Sequence, residues 1–287
     1  MNSPPEIFDF AAYALRRERA LRRGGDSFLL RDAAERLAER LGAVKRRFVN
    51  ALDLQSRDES FVRLAPFAAN WVRQELARDE TLRAAPQSLD LVTSVLSLHA
   101  VNDLPGLLVQ IRRALKPDGL FLAAVFSGET LHELREAFAQ GEINVRGGAS
   151  PRVAPLADLR DLGALLQRAG FALPVADSER TVVRYRAFET LVSDLRTLGE
   201  TNALSQRSRK FLRRDTLAAS LAHYRERHAE PDGRLRATFD IAYLTGWAPH
   251  ESQQKPLKPG SAKTRLADAL GTAERSAGDS ASPIRNR

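Results

Sequence analysis

Residues 86–126, PQSLDLVTSVLSLHAVNDLPGLLVQIRRALKPDGLFLAAVF, constrain the fold more tightly than any other stretch of the chain. Leu89 to Leu96 is a near-continuous apolar run of strand length, the pattern of a parallel strand covered on both faces. Asn102 or Asp103 can cap a helix that turns Leu104, Leu107, Leu108, Ile111 and Leu115 inward, with Pro105 tolerated in its first turn. Lys116-Pro117-Asp118-Gly119 reads as the turn that stops it, and Leu120 to Phe126 as the next buried strand. Strand, helix and strand in this order form a βαβ unit with a right-handed crossover, so the sheet is parallel at its centre.

The flanking segments extend that sheet. Residues 5–23 and the segment from Ser27 read as amphipathic helices; in the second, Leu30, Ala34, Leu37, Leu41, Val44 and Phe48 recur at helical spacing. Val49 to Leu54 follows as a short buried strand ending near an acid, Asp53. Further helices are expected over 129–139 and 158–169, and strands over 173–186 and 236–245, with a helical cap at 187–228 between them. From Glu251 onward Pro, Gly, Ser and Ala dominate, which predicts a mobile tail. The domain reading is an N-terminal helical extension over 1–48, an α/β domain over 49–250 and the tail over 251–287.

Composition narrows the chemistry. The chain has 287 residues, 43% hydrophobic, and no cysteine, which removes disulfides, thiolate catalysis and cysteine-based metal centres and suits a reducing cytoplasm. The first ten residues lack a basic region followed by an apolar stretch, and runs such as Leu120 to Phe126 are too short to cross a bilayer, so a soluble cytoplasmic protein is expected. Of five histidines only His223 and His228 are close in sequence, and a five-residue step on one helix should splay them apart, so no metal site is expected. The net charge is +8, carried by arginine clusters at 16–19, 22–23, 45–47 and 207–214. Interleaved acids and the absence of alternating aromatics favour solvated helix faces over a nucleic-acid surface.

The order of elements suggests the class I S-adenosylmethionine (SAM) methyltransferase fold. The segments FLLRDAAERLAERL, ALDL, SLDLVTSVLSLHAVNDLPGLLVQIRRALKPDGLFLAAVFSGETLHELREAF, GGASPRVAPLADLRDLGALLQRAGF, LGETNAL and GWAPHESQQKP lie in order between residue 28 and about 256. In them the chain resembles the methyltransferase-like assembly factors of respiratory complex I, within a wider group that includes the biotin-pathway methyltransferases. The resemblance implies a three-layer Rossmann-like sandwich, SAM as cofactor, and a protein substrate, an iron–sulfur subunit of complex I; arginine hydroxylation is associated with the family. It carries cofactor contacts onto Asp53, Leu54, Asp79, Ser97 and His99. It carries substrate contacts onto Gly147, Gly148, Ser150, Arg152, Glu200, Asn202, His250 and Glu251.

At one place the chain departs from the pattern. Family members follow the ALDL strand with a Gly-x-Gly turn, because the backbone there passes close to the cofactor. Here the residues are Gln55-Ser56-Arg57-Asp58-Glu59, and no glycine occurs between Gly42 and Gly106. Only 36 residues separate Asp53 from Asp90, where three helices and two strands would need roughly 60. The best match makes Asn70 to Glu75 the family's third strand and removes the second, whose terminal acid holds the ribose, so the sheet is expected to be one strand short. His99, just past a central strand, is a base, a cofactor contact or a hydrogen-bonding partner of the strand end. Arg152 is a clamp for a partner's carboxylate or carbonyl, or a loop pair with Asp158 or Asp161. Three functions follow: a SAM-dependent enzyme, a pseudo-methyltransferase that keeps the substrate groove and acts as an assembly chaperone, or a nucleic-acid-binding methyltransferase relative whose binding weakens steeply with salt.

Overall fold

The computed structural model describes residues 6–65 and 68–254, with 268 and 270–272 beyond them. Residues 1–250 cluster as one unit and 251–287 as another. Most of the expected mobile tail lies outside the described residues.

In chain order the elements are α1 (Phe10–Arg23), α2 (Phe28–Gly42), β1 (Phe48–Leu54), α3 (Ser60–Leu64), β2 (Ala68–Gln74), β3 (Leu89–Val95), a 3-10 turn at Leu98–Ala100, α4 (Leu104–Ala114), β4 (Leu115–Phe126), α5 (His132–Arg146), α6 (Leu159–Arg168), β5 (Ala172–Tyr185), α7 (Phe188–Leu198), α8 (Arg214–His228) and β6 (Leu235–Trp247). The six strands form one sheet in the order β2-β1-β3-β4-β6-β5. The first four are parallel, while β6 runs antiparallel to β4 and to β5.

Burial follows position in the sheet. Every residue of central β3 is buried, whereas edge strand β5 alternates and edge strand β2 is mostly open. Side chains of β4 go alternately to two cores. Leu120, Leu122, Ala124 and Phe126 pack with α2 and α5; Phe121, Ala123 and Val125 pack with α4 and α6. The result is three layers. Caps agree with the local sequence: Ser27 accepts from Leu30, Asp103 from Gly106 and Asp158 from Asp161.

Three expectations need correction. The Lys116–Gly119 turn is absorbed into β4 as an irregularity, its register passing from Leu89↔Leu115 to Leu91↔Leu120, with Asp118 at φ 64°. The helix expected over 5–23 begins at Phe10 among the described residues, because Phe8 bridges to Leu204 instead. His223 and His228 do not splay: both rings reach Glu136 of α5, at 3.1 Å each. The five-residue step separates them on α8, yet one carboxylate spans both.

The shortening lies between β1 and β3. The strand matched to the family's third one sits directly against β1, Asn50 opposite Asn70 and Leu54 opposite Gln74. It therefore stands where the acid-ending second strand belongs, and it ends the sheet.

Candidate functional site

Ligands of open α/β sheets bind beyond the carboxyl ends of the parallel strands. Here that edge divides into a sealed half over β1 and β2 and an open half over β3 and β4.

The sealed half begins at Gln55. It adopts φ 60°, the left-handed conformation for which glycine is normally chosen, and its backbone N–H donates to the Gln74 carbonyl. Its side chain is buried, and Oε1 accepts the Leu76 N–H at 2.6 Å. Ser56 donates to Asp53 Oδ1, while its Oγ accepts the Val95 N–H at 3.0 Å. Asp53 is fully buried, its Oδ2 without a hydrogen bond and 3.9 Å from Arg73 Nε, and burial pushes its carboxyl up to about 6 against the lowering effects of Ser56 and Arg73. Leu54 packs into the core.

A residue from outside closes the turn. Arg17 of α1 is buried, donating to the Gln55 carbonyl at 2.8 Å and to Ser97 Oγ at 2.9 Å, with Tyr13 Oη at 3.3 Å. Asn102, in the segment after β3, exchanges two hydrogen bonds with the Phe8 backbone. Glu80, not Asp79, receives the Asn102 and Asp103 N–H groups, each at 2.7 Å; Asp79 is exposed and accepts from Thr81 in its own turn. The space left among Phe8, Tyr13, Gln55, Leu76, Glu80 and Ala100 is about 10 Å³, room for one water at most. A drug-sized ligand needs roughly 300 Å³ or more. The residues present do not fit SAM here.

The open half is a cavity of about 380 Å³ under the cap, walled by apolar residues including Phe126, Leu131, Leu134, Phe138, Phe188 and Leu195. His99, Arg152, Glu200 and Asn202 all line it. His99 Nε2 lies 3.0 Å from Glu200 Oε2, the ring packs edge-on against Phe126, and Nδ1 is buried with no partner. Glu200 Oε1 accepts from Tyr13 Oη at 3.3 Å, joining the two halves.

Arg152 pairs with Glu142 of α5, and neither expected acid, Asp158 nor Asp161, takes that place. Glu142 is wholly buried; it also receives Ser150 N–H at 2.5 Å and Ser150 Oγ at 2.8 Å. Burial works to raise its pKa, and the bonds from Ser150 and Arg152 more than offset this, holding the carboxyl below its usual range. Arg152 also lies over the Phe138 ring, and Asn202 Nδ2 donates to the Pro151 carbonyl at 2.9 Å.

The remaining residues fall elsewhere. Gly147 and Gly148 end α5 on the surface, Gly147 in the left-handed region at φ 73°. His250 follows β6, which runs from Ile241 opposite Phe126, at the carboxyl end of β4, to Trp247 opposite Leu120; it stands toward the amino edge, away from the cavity, because β6 is antiparallel. Glu251 is the next residue and is exposed. Sequence reasoning singled out Gln55 as the departure from the glycine turn and missed Arg17, Tyr13 and Glu142. A signal existed for Arg17: it falls on the same face of α1 as Tyr13 and Ala20, a charge within an apolar stripe.

A methyltransferase-domain family model matches residues 16–174. The chain belongs to that family. Among curated methyltransferase-family relatives, the arginine-hydroxylase NDUFAF5, mitochondrial, of Homo sapiens is 44% identical over 193 residues, 67% of this chain and 56% of that protein. Its counterpart in Dictyostelium discoideum is 45% identical over 187 residues, 65% of this chain and 43% of that one. The chain thus spans about half the length of these relatives. A malonyl-[acyl-carrier protein] O-methyltransferase of Halorhodospira halophila is 33% identical over 260 residues, covering 82% of this chain and 86% of the enzyme. The crystal structure of YcgJ from Bacillus subtilis matches 75% of this chain and 98% of its own, with a TM-score of 0.51 at 12% identity. That last likeness speaks to the fold, and among the described residues the sheet has six strands and ends at β2.

Proposed function

We propose that this methyltransferase-family protein acts on a protein substrate in assembly of respiratory complex I by holding a segment of an iron–sulfur subunit in the His99–Glu200 cavity. In this reading SAM is not bound at the β1 turn, and the chain works as an assembly chaperone in the cytoplasm. One observation carries the proposal: on the same sheet edge a cavity of about 380 Å³ is open beside His99 and Glu200, and only about 10 Å³ is left beside the β1 turn. The resemblance to complex I assembly factors supports the partner, and the arginine-hydroxylase relatives support a polypeptide substrate.

The unpartnered Nδ1 of His99 favours a second reading. His99 lines the cavity with one nitrogen fixed by a carboxylate and the other buried without a hydrogen bond, the residue type and setting of a general base, so an enzyme on the same substrate side also fits. Isothermal titration with SAM and with S-adenosylhomocysteine separates the two. No heat up to millimolar ligand supports the chaperone, and micromolar binding overturns it. Val153→Trp, which fills the cavity from its rim, should abolish capture of complex I iron–sulfur subunits in a pull-down; undiminished capture would remove the cavity from the function.

A further inference from the structure

Two arginine clusters almost two hundred residues apart in the chain meet on one surface. Arg16, Arg19 and Arg23 come from α1, Arg196 from α7, and Arg207 and Arg209 from the loop that precedes α8; together they line a groove of about 890 Å³. Its lining contains one acid, Asp9, which already answers Arg207 at 2.9 Å and Arg209 at 3.5 Å. Arg16, Arg19, Arg23 and Arg196 form no salt bridge among the described residues, and Arg23 has only a Ser193 hydroxyl. Burial, then repulsion from Arg207 and Arg19, lowers the pKa of Arg16 despite Asp9. Concentrating like charge in a concave site costs stability unless a partner supplies the counter-charge.

The groove is not isolated. Val192, Arg196 and Thr201 line both it and the apolar cavity that contains His99. A ligand resting on the arginines therefore reaches the cavity without leaving the surface. A convex phospholipid bilayer does not enter a groove, and the lining holds no aromatic ring on which a base could stack, so both are poorer matches than an extended chain.

We propose that this groove and the adjoining cavity form one binding site for an acidic polypeptide segment, whose carboxylates lie on the arginines while an apolar side chain enters the cavity. The inference rests on the proposed substrate role of the cavity and adds the chemistry of the partner. Guanidinium groups offer paired donors to carboxylates, and Arg clusters are a recurrent means of reading acidic motifs.

The test uses the full chain and a fluorescein-labelled Glu/Ser peptide with one central Phe, read by fluorescence anisotropy. Binding should weaken steeply as salt rises. Arg19→Glu with Arg196→Glu should weaken it by about tenfold or more. Both positions are exposed and unpaired, so the fold is kept, and the double Lys variant should fall in between because it keeps charge and loses the fork. The Phe-free peptide should bind more weakly than its parent. Equal binding by charge-reversed and unaltered protein, equal binding with and without Phe, or tighter binding of an RNA oligomer or of anionic phospholipid vesicles would each overturn the proposal. If Val153→Trp abolishes capture of the complex I subunit and the charge reversal does not, the assembly reading stands and the groove inference alone fails.

Discussion

The β1 turn and the cap cavity share one sheet edge and a connecting pair of side chains, Tyr13 and Glu200, yet they have opposite characters. At the turn the chain satisfies itself: Gln55 bonds Leu76 and Gln74, Ser56 bonds Asp53 and Val95, and Arg17 takes the Gln55 carbonyl and Ser97. In the cavity it does not, since His99 Nδ1 has no partner and apolar walls stand uncovered. The contrast separates ancestry from use. Each half keeps a buried polar atom without a hydrogen bond, Asp53 Oδ2 in one and His99 Nδ1 in the other, but only the half with open volume has somewhere for a ligand to go.

The sharpest way to break this comparison is to remove the residue that closes the turn. Arg17→Met keeps most of the volume and deletes three charged hydrogen bonds, of which those to the Gln55 carbonyl and Ser97 are the shorter. With each of those two contributing roughly 1.5–3 kcal/mol, a loss of about 3–6 kcal/mol in urea unfolding is expected. SAM should still fail to bind, because the Gln55 side chain and the inward-turned Asp53 remain. If calorimetry finds micromolar SAM binding to Arg17→Met, the turn is closed by one plug and is otherwise competent, and the two halves are alike after all.

A smaller effect sharpens the comparison through pH. The Asp53 carboxyl titrates at about 6 in the fold, against an ordinary aspartate value of 3.8. Between those values the native state keeps a proton that the unfolded chain has released, so stability falls as pH rises through the window, and the full penalty applies above it. Asp53→Asn retains an acceptor for Ser56 and carries no charge. Its advantage over the unaltered protein should be near zero at about pH 4 and on the order of 2–3 kcal/mol at pH 7. Urea melts across that range measure it. A gap that does not change with pH would mean that Asp53 is not a desolvated acid. An enzyme relying on Asp53 for its cofactor should also lose activity in this variant, whereas capture by the cavity should be unaffected.

The central sheet was legible because its signals are local. A fully apolar Leu89–Val95, a capped α4 and a buried Leu120–Phe126 each announce themselves within a dozen residues. The missing strand was legible too, from the short interval between Asp53 and Asp90. What closes the turn was not. Arg17 lies 38 residues from Gln55 and 80 from Ser97, and a helical arginine looks solvated until the helix is docked. Arg152 misled for a related reason. Its partner Glu142 is buried on α5, while the nearer acid Asp158 caps α6 and Asp161 lies in the first turn of that helix. The resemblance gave His250 a substrate contact, and an antiparallel β6 places it away from the cavity, since reversing one strand exchanges the two edges.

The smallest effect bears on how the glycine was replaced. Gln55 carries a side chain at φ 60°, which costs about 1 kcal/mol or a little more relative to glycine, and its amide answers the buried Leu76 N–H. Gln55→Ala keeps the strain and loses the bond, so about 2 kcal/mol should be lost. Gln55→Gly loses the same bond and relieves the strain, and should be about 1 kcal/mol more stable than the alanine variant. Urea unfolding of the pair measures that difference directly, free of the hydrogen bond that both lack. Alanine as stable as glycine would mean the turn does not need the left-handed conformation in solution. Glycine above alanine, with both below glutamine, would mean that this chain keeps the backbone path of a cofactor turn and stabilises it with a side chain where the family uses none.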